Sequence, residues 1–232
     1  LSTALTHAQL SGTYTIGGAS PDYPTVVDAV TDLSTNGVSG PVIFNIRDGV
    51  YAGKLVFNAI AGTSLTNTVT FQSENGDSSL VTITSPTSCS SATNYTVSLT
   101  NTDYITFSKV TIERSGALAY SHVIELSGGN DYNNFNNCVI TCGPVTGTAA
   151  FQALVYSAVG TSDNYNIFNS CRVENGSFGF YLYGTSAAVP ESGNMIMNCQ
   201  VLNQTNYGIQ VGNAMEFMAQ GNYITGISTS YG

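Results

Sequence analysis

The chain has 232 residues, enough for one sizeable core, and only 8% of them are charged, against roughly 25% in an average soluble protein. Its net charge of −9 repels phosphate backbones and anionic lipid, so we expect no nucleic acid and no membrane surface as a partner. No stretch reaches the roughly 18 apolar residues of a membrane span, and the first residues carry neither Met nor a basic segment, so we expect a secreted chain after signal removal.

The first predicted element is a short amphipathic helix. Thr25 suits its N-cap, Asp28 stands where a capping box needs an acceptor, and Asn36-Gly37 supplies the stop. Apolar residues recur at helical spacing at Val26, Ala29, Val30 and Leu33. We expect this helix to cover one open end of a stack of strands, where unpaired edges would otherwise pair with another chain.

Strands are predicted next, and a repeated block follows them. The strands run from Val42 to Ile46, Leu55 to Phe57, Val69 to Gln72 and Leu80 to Thr84. The block reads D-Y-I-T-F-S-K-V-T-I in its first copy, and corresponding positions of five copies are 28, 33, 28 and 23 residues apart. The copies run from Asp103 to Ile112, Asp131 to Ile140, Asn164 to Val173, Ser192 to Val201 and Met215 to Ile224.

Second strands with period-two alternation lie between the copies. They are Val97-Ser98-Leu99, Ile124-Glu125-Leu126, Phe180-Tyr181-Leu182 and Ile209-Gln210-Val211. Two or three short strands per repeat, joined by Gly and Asn turns, predict an all-β solenoid whose coils stack at about 4.8 Å. Equivalent residues of successive coils should therefore form columns along the axis.

Two inward columns account for most of the cysteines. One contains Val110, Cys138, Cys171, Cys199 and Asn222, and the other contains Ile112, Ile140, Val173, Val201 and Ile224. We interpret Cys138 as a small buried apolar side chain, because in-register Cβ atoms about 4.8 Å apart exceed the roughly 3.8 Å that a disulfide needs. Cys142 lies beyond the strand and either pairs with Cys89 or stays free. Zinc is disfavoured, since only His7 and His122 could complete four ligands.

Two further columns are predicted to form ladders at the turns. One is an aromatic ladder of Tyr104, Tyr132 and Tyr165. The other is a polar ladder of Ser108, Asn136 and Asn169, of the type that satisfies backbone groups between coils.

The stretch YPTVVDAVTDLSTNGVSGPVIFNIRDGVYAGKLVF, from Tyr23 to Phe57, resembles the opening of right-handed parallel β-helix proteins of the pectin lyase-like superfamily. The repeated block resembles coils of that superfamily, and GTYTIGG with GVSGPVIFNI is similar to openings of bacterial surface proteins exported by the type IX system. The resemblance implies one right-handed parallel β-helix over residues 1–232, with a cap at about 1–40 and coils at about 41–232, within a longer chain that has further domains. It implies no single activity, because the superfamily includes pectate lyases, pectin methylesterases, polygalacturonases and noncatalytic adhesins.

Candidate catalytic residues are few. A pectate lyase needs clustered acids for Ca²⁺ and an arginine base, and the candidate here is Arg172, which has Glu174 beside it as an ion-pair partner. Asp103 and Asp131 are neighbours in one column, where carboxylates about 5 Å apart suit a shared Ca²⁺ or a retaining glycosidase pair. Alternatively, both begin turns and accept nearby backbone N–H groups. The central coils contain no Asp, Arg and Gln set like that of pectin methylesterases, and we expect no cofactor other than Ca²⁺.

A binding role requires less. Glu125, Tyr181, Tyr183 and Gln210 are predicted to point outward on neighbouring coils of one strand column. Aromatic faces mixed with hydrogen-bonding groups are typical of sugar-binding grooves, and ordinary surface tyrosine is the alternative. We therefore expect an adhesin or carbohydrate-binding segment at the cell surface, whose partner is a polysaccharide or glycan. The alternative is a polysaccharide lyase or glycoside hydrolase.

Overall fold

The structure, a computed structural model, describes residues 8–86, 90, 93–116, 120–157, 160 and 162–226, so His7 and Cys89 lie outside it. A 3-10 turn covers Ala150–Gln152. The helix and strands are, in chain order, β1 (Leu10–Ile16), α1 (Val26–Asn36), β2 (Val38–Ile46), β3 (Gly49–Ala52), β4 (Leu55–Phe57), β5 (Val69–Ser73), β6 (Val81–Pro86), β7 (Val97–Thr100), β8 (Ile105–Ser108), β9 (Thr111–Ser115), β10 (Ile124–Ser127), β11 (Asn134–Asn136), β12 (Val139–Cys142), β13 (Val155–Ser157), β14 (Ile167–Asn169), β15 (Arg172–Glu174), β16 (Phe178–Tyr183), β17 (Glu191–Ser192), β18 (Met195–Met197), β19 (Gln200–Gln204), β20 (Tyr207–Gly212), β21 (Ala214–Met215), β22 (Met218–Gln220) and β23 (Tyr223–Gly226).

These strands form three long parallel sheets and one short one. Sheet 1 has the order β1-β2-β5-β8-β11-β14-β18-β22, sheet 2 has the order β3-β6-β9-β12-β15-β19-β23, and sheet 3 has the order β4-β7-β10-β13-β16-β20. Strands β17 and β21 pair separately. Neighbours in each sheet come from successive coils. The chain is therefore an all-β, right-handed parallel β-helix, which confirms the predicted fold class.

Helix α1 forms as predicted. The Thr25 hydroxyl accepts the backbone N–H of Asp28 at 3.2 Å, and the Asp28 carboxylate accepts the backbone N–H of Thr25 at 3.1 Å. The helix ends before Gly37, whose φ of 67° favours glycine. Its buried face is Val26, Ala29, Val30 and Leu33, and it packs against β4 and β1. Strand β1, which lies within the predicted cap, is already the first strand of sheet 1.

The predicted inward columns are confirmed by the pairing register. Ile140 is paired with Ile112 and Val173, and Val201 continues the column; all four are fully buried. Ile224 is the last member of the column among the described residues and is 48% exposed, because no described strand of sheet 2 follows β23. A parallel stack of phenylalanines fills the interior behind sheet 1, with ring centroids between 4.6 and 5.5 Å apart: Phe44, Phe71, Phe107, Phe135 and Phe168.

Buried asparagines join the coils at the turn before sheet 1. Asn133 Oδ1 accepts the N–H of Ile105 at 2.9 Å, while Nδ2 donates to the carbonyl of Thr102 at 2.8 Å. Asn166 Oδ1 accepts the N–H of Asn133 at 3.1 Å, and Asn194 Oδ1 accepts the N–H of Asn166 at 2.8 Å. These side chains satisfy backbone groups that would cost about 1–3 kcal/mol each if buried without a partner.

Two features of the structure differ from the prediction: an additional strand in sheet 3 and a shift of register in sheet 2. Strand β13 at Val155–Ser157 adds a member to sheet 3 that the sequence pattern did not predict. The predicted column that pairs Val201 with Ile224 would place Gly226 opposite Asn203, but Gly226 pairs with Gln204, because the register shifts between Leu202 and Gln204. Asn203 occupies this irregularity with a φ of 63°, a conformation that Asn adopts more readily than most residues.

Candidate functional site

The predicted binding residues lie together on the outer face of sheet 3. The outward column there is Val56, Ser98, Glu125, Tyr156, Tyr181 and Gln210. Tyr183 lies two residues beyond Tyr181 on β16, opposite Gly212. The prediction that Glu125 and Tyr181 occupy neighbouring coils was wrong, because the coil of Tyr156 lies between them. We define the aromatic patch as His122, Glu125, Tyr156, Tyr181, Tyr183 and Gln210.

The rings of the aromatic patch form one continuous row. His122 stacks on Tyr156 with a centroid distance of 4.2 Å, Tyr156 on Tyr181 at 5.6 Å, and Tyr181 on Tyr183 at 4.6 Å. Because stacked rings are about 3.5 Å apart, a centroid distance of 5.6 Å displaces Tyr156 and Tyr181 sideways by about 4 Å. Part of a ring face therefore stays uncovered. The three tyrosines are half-buried, and Phe178 also packs edge-to-face against Tyr181 at a centroid distance of 5.2 Å.

One end of the aromatic patch is polar. His122 Nδ1 lies 3.3 Å from Glu125 Oε2, and Nε2 lies 3.0 Å from the carbonyl oxygen of Ala150. Since a carbonyl only accepts, Nε2 must carry a proton. His122 is 5% exposed and supports the Tyr156 ring from the protein side. The Glu125 side chain is 21% exposed and remains accessible as an acceptor.

The other end is held by Gln210 and a glycine. Gln210 Nε2 donates to the Tyr183 hydroxyl at 2.7 Å. A Cβ at Gly212 would lie 2.1 Å from the Tyr183 ring, so the glycine allows that ring to lie over β20. The orientation of Tyr183 is thus fixed before any ligand arrives.

The phenol groups in the middle are neutral donors. Burial raises the pKa of Tyr156, reinforced by the charge of Glu125, and burial raises the pKa of Tyr181, reinforced by Tyr183 and Tyr156. Neither hydroxyl has a hydrogen-bond partner among the described residues, so both are available to a ligand.

No Lys or Arg of the described chain forms a hydrogen bond or ion pair with the aromatic patch. Arg47 pairs with Glu74 at 3.5 Å, and Arg172 pairs with Glu174. Lys54 donates to the carbonyl of Thr93 at 2.5 Å. Arg114 acts electrostatically on Glu125, but its side chain is fully buried and directed to interior oxygens. Glu125 is therefore the exposed charge of the aromatic patch.

The structure places Asp103 and Asp131 on adjacent coils, as predicted, but one carboxylate oxygen of each accepts hydrogen bonds from the next coil. Asp103 Oδ1 accepts the N–H of Asp131 at 2.8 Å, and Asp131 Oδ1 accepts the N–H of Asn164 at 2.9 Å. Asn164 continues the series by accepting the N–H of Ser192 at 2.8 Å. Burial raises the pKa of Asp103, and the N–H of Asp131 partly offsets this effect. The geometry matches the alternative interpretation, in which these side chains satisfy backbone N–H groups, here on the next coil.

Arg172 lies on the surface in a two-point ion pair. Its Nη2 is 2.7 Å and its Nε 2.8 Å from Glu174 Oε2. The arginine side chain is 50% exposed, so the pair contributes little to stability. No Asp of the described residues pairs with this arginine.

The predicted tyrosine ladder forms a second exposed aromatic surface. Tyr104, Tyr132 and Tyr165 stack with centroid distances of 5.2 and 4.9 Å. The three tyrosines line a groove of about 180 Å³ beside sheet 1, together with Leu65 and Ile167. All three tyrosines have positive φ, from 54° to 63°. Tyr132 and Tyr165 are 42% and 40% exposed, so the ladder also presents ring surface to solvent. It differs from the aromatic patch in having no carboxylate and no side-chain amide beside its rings within hydrogen-bond distance among the described residues.

The cysteines are placed as small buried side chains. Cys138, Cys171 and Cys199 are 1% exposed and unpaired, and the Cys138 thiol donates to the carbonyl of Phe107 at 3.4 Å. Cys142 is free as well, and burial raises the pKa of its thiol to about 12, so it is not a reactive thiolate at neutral pH. Within the described ranges, no three His, Cys, Asp or Glu side chains are grouped as a metal site requires. No helix in this part of the chain is long and apolar enough to span a membrane.

Sequence reasoning missed Tyr156 and His122. The strand of Tyr156 has three residues and follows a long connection after Cys142, which stretches this repeat spacing to 33 residues. His122 lies outside any strand, so no alternation identifies it. The sequence offered only an indirect indication of Tyr156. The coil between those of Glu125 and Tyr181 must contribute its own strand to sheet 3, and that strand must carry an outward residue.

Several solved structures share this fold. Pectin methylesterase from Aspergillus niger aligns with a TM-score of 0.57 and 15% identity, over 97% of this chain and 89% of that one. Pectin methylesterase from carrot aligns with a TM-score of 0.55 and 16% identity, over 92% of this chain and 65% of that one. A mutant pectin methylesterase in complex with a hexasaccharide aligns with a TM-score of 0.58 and 16% identity, over 90% of this chain and 67% of that one. No protein-family model and no curated protein matches the sequence. At these identities the likeness shows the fold alone, a right-handed parallel β-helix.

Proposed function

We propose that this chain is a carbohydrate-binding segment of a secreted cell-surface protein, and that it binds an uncharged polysaccharide or glycan through the aromatic patch. The observation that carries the proposal is the row of rings from His122 to Tyr183, with a partly uncovered face and two unpaired phenol hydroxyls. Pyranose rings present apolar C–H faces and a rim of hydroxyls, which suits such a surface.

The preference for an uncharged ligand follows from electrostatics. The exposed charge of the aromatic patch is the carboxylate of Glu125, and no exposed Lys or Arg of the described residues adjoins it. A uronate polymer would meet a like charge there, and the basic side chains near Glu125, His122 and Arg114, are buried and directed to protein oxygens. A neutral sugar meets no charge repulsion there, and one of its hydroxyls can donate a hydrogen bond to Glu125.

An adhesin role at the cell surface is consistent with this chemistry, because it requires an exposed polar and aromatic face and no catalytic group. The related solved structures include pectin methylesterases bound to hexasaccharides, which supports a glycan as the class of ligand. The type IX export route and the further domains stay predictions from the sequence resemblance.

The experiment compares matched tyrosine variants in affinity electrophoresis with neutral xylan, mannan and β-glucan, and with pectate. Tyr181→Ala should weaken binding to the preferred neutral polymer by about tenfold, since one aromatic contact is worth about 0.5–1.5 kcal/mol beyond its burial. Tyr181→Phe keeps the ring and should retain most of the affinity. Tyr132→Ala is the control, because Tyr132 is 42% exposed but belongs to the ladder beside sheet 1.

Two results would contradict the proposal. Loss of binding in Tyr132→Ala with normal binding in Tyr181→Ala would move the site to the tyrosine ladder. Tighter binding to pectate than to every neutral polymer would refute the electrostatic argument.

A further inference from the structure

A cluster of buried acids and amides interrupts the apolar interior behind sheet 3. Ser157, at the end of β13, is fully buried and pairs in register with Leu126, so it occupies an inward position that is a leucine on the preceding coil. Asp163 is 0% exposed and Glu191 is 1% exposed. The three side chains come from different segments and meet at the Ser157 hydroxyl.

The contacts of the cluster define a chain of hydrogen bonds. Ser157 Oγ lies 3.0 Å from Asp163 Oδ2 and in short contact with Glu191 Oε1. Asp163 Oδ1 accepts the backbone N–H of Asn130 at 2.8 Å and its side-chain Nδ2 at 2.6 Å. Glu191 Oε2 accepts Asn194 Nδ2 at 3.1 Å.

Counting protons shows that both acids cannot be ionised with this geometry. The serine hydroxyl has one hydrogen and can donate to one carboxylate only. If it donates to Asp163, whose other oxygen already accepts two N–H groups, then Glu191 must be protonated and donate to Ser157 Oγ. With both acids ionised, a carboxylate oxygen would face a serine lone pair inside an apolar core. The reverse assignment would put the proton on Asp163, the acid whose Oδ1 already accepts two N–H groups, and would leave the charge on Glu191, which accepts one.

We propose that Glu191, Ser157 and Asp163 share one buried proton, carried by Glu191, and that loss of this proton at rising pH destabilises the coil that they join. The step is a simple dissociation: the Glu191 O–H bond breaks, the proton passes to water, and two buried carboxylates remain beside one hydroxyl.

The surroundings of Glu191 agree with this assignment. Burial raises its pKa to about 7, and the charge of Asp163 adds to the effect. The other groups that face Glu191 are Ser157 from β13, Asn194 from the turn before β18 and the backbone carbonyl of Asn213 before β21, and none of them is ionisable. No cation among the described residues forms an ion pair with Glu191.

The direction of the pH effect follows from the two states. Below the ordinary Glu pKa of 4.5, folded and unfolded chains both hold the proton, and the group contributes no pH dependence. Between 4.5 and about 7, only the folded chain holds it, so each rise in pH favours unfolding. Above about pH 7 both the folded and the unfolded chain have lost the proton, and the unfolding constant has risen by roughly 300-fold.

The test measures urea unfolding of the whole chain from pH 4.5 to pH 8.5. Wild type should lose stability steeply up to pH 7 and level off above it. In Glu191→Gln the amide can donate to Ser157 Oγ and accept from Asn194, so the network is kept without a titrating group and the dependence should be much flatter. Glu216→Gln is the control, because Glu216 is exposed and lies in the next coil, and it should follow wild type. The infrared band of a protonated carboxyl should be present at pH 6, fade through pH 7 and be missing in Glu191→Gln.

Three outcomes would overturn the proposal. One is an equal pH dependence in wild type and Glu191→Gln, and another is a carboxyl band that disappears near pH 4.5. The third is stabilisation by Ca²⁺ at pH 8 that vanishes in Glu191→Gln, which would identify a cation site in place of a shared proton. If Glu191→Gln does not fold, the wild-type unfolding curve and the wild-type infrared titration still decide. None of these results depends on glycan binding.

Discussion

Replacing Asn166 by Ala tests how the coils are held together. Asn166 is 1% exposed, and its Oδ1 is the acceptor for the N–H of Asn133, while its Nδ2 donates to the carbonyl of Asn130 at 2.7 Å. Truncation leaves the N–H of Asn133 without a partner, at a cost of about 1–3 kcal/mol. The carbonyl of Asn130 keeps the N–H of Asn164, so losing its second bond costs only about 1 kcal/mol. The sum is about 2–4 kcal/mol.

The assay is urea unfolding followed by circular dichroism, in which the midpoint should fall and the slope should stay constant. Asn136→Ala is the matched control, because Asn136 is a half-buried residue of the neighbouring strand β11 whose side chain lies on the outward face. It should change the free energy of unfolding by no more than about 0.5 kcal/mol. Equal losses in the two variants would refute the argument that the buried asparagines, and not asparagines in general, connect the coils.

Three further substitutions test the register and the turns. Ile140→Asp should abolish the folded coil, since it puts a carboxylate into a fully buried apolar column; unchanged thermal stability would contradict the register. Cys138→Ala should cost about 1–3 kcal/mol in denaturant unfolding, and a larger loss would indicate more than a packing role. Gly193→Ala should destabilise more than Gly12→Ala in the same assay, because both glycines have positive φ but only at Gly193 would a Cβ meet a ring, that of Tyr165 at 2.4 Å. Equal costs would show that backbone strain alone decides.

The fold could be predicted because stacked coils place equivalent residues in the same environment, so the same pattern of apolar and polar residues recurs along the sequence. The columns of Ile140 and Cys138 and the capping box of Thr25 and Asp28 are local or periodic signals, and all are present in the structure. The buried asparagine ladder was not predicted, because Asn133 and its equivalents have the sequence pattern of ordinary exposed turn residues. Their burial becomes visible only when the turns of successive coils are stacked. The repeat spacing alone does not say which side of a turn faces the core.

The candidate site was predicted only in part. Glu125, Tyr181 and Gln210 follow from alternation, while Tyr156 is on a three-residue strand after a long connection. The acid cluster was not predictable, because Ser157, Asp163 and Glu191 belong to segments without a common periodicity and meet only through the stacking of coils. Conversely, the proximity of Asp103 and Asp131 was predicted. Their hydrogen bonds to backbone N–H groups of the next coil depend on the geometry of the turns.

The most direct test of the account is a single incubation of the wild-type protein with neutral and acidic polysaccharides, with and without Ca²⁺, in which co-sedimentation and new reducing or unsaturated ends are measured together. The account predicts co-sedimentation with at least one neutral polymer, no dependence on Ca²⁺ and no new chain ends. New ends that form in proportion to the protein would contradict it. They would show a lyase or hydrolase, with Arg172, Asp103 and Asp131 as the first residues to replace.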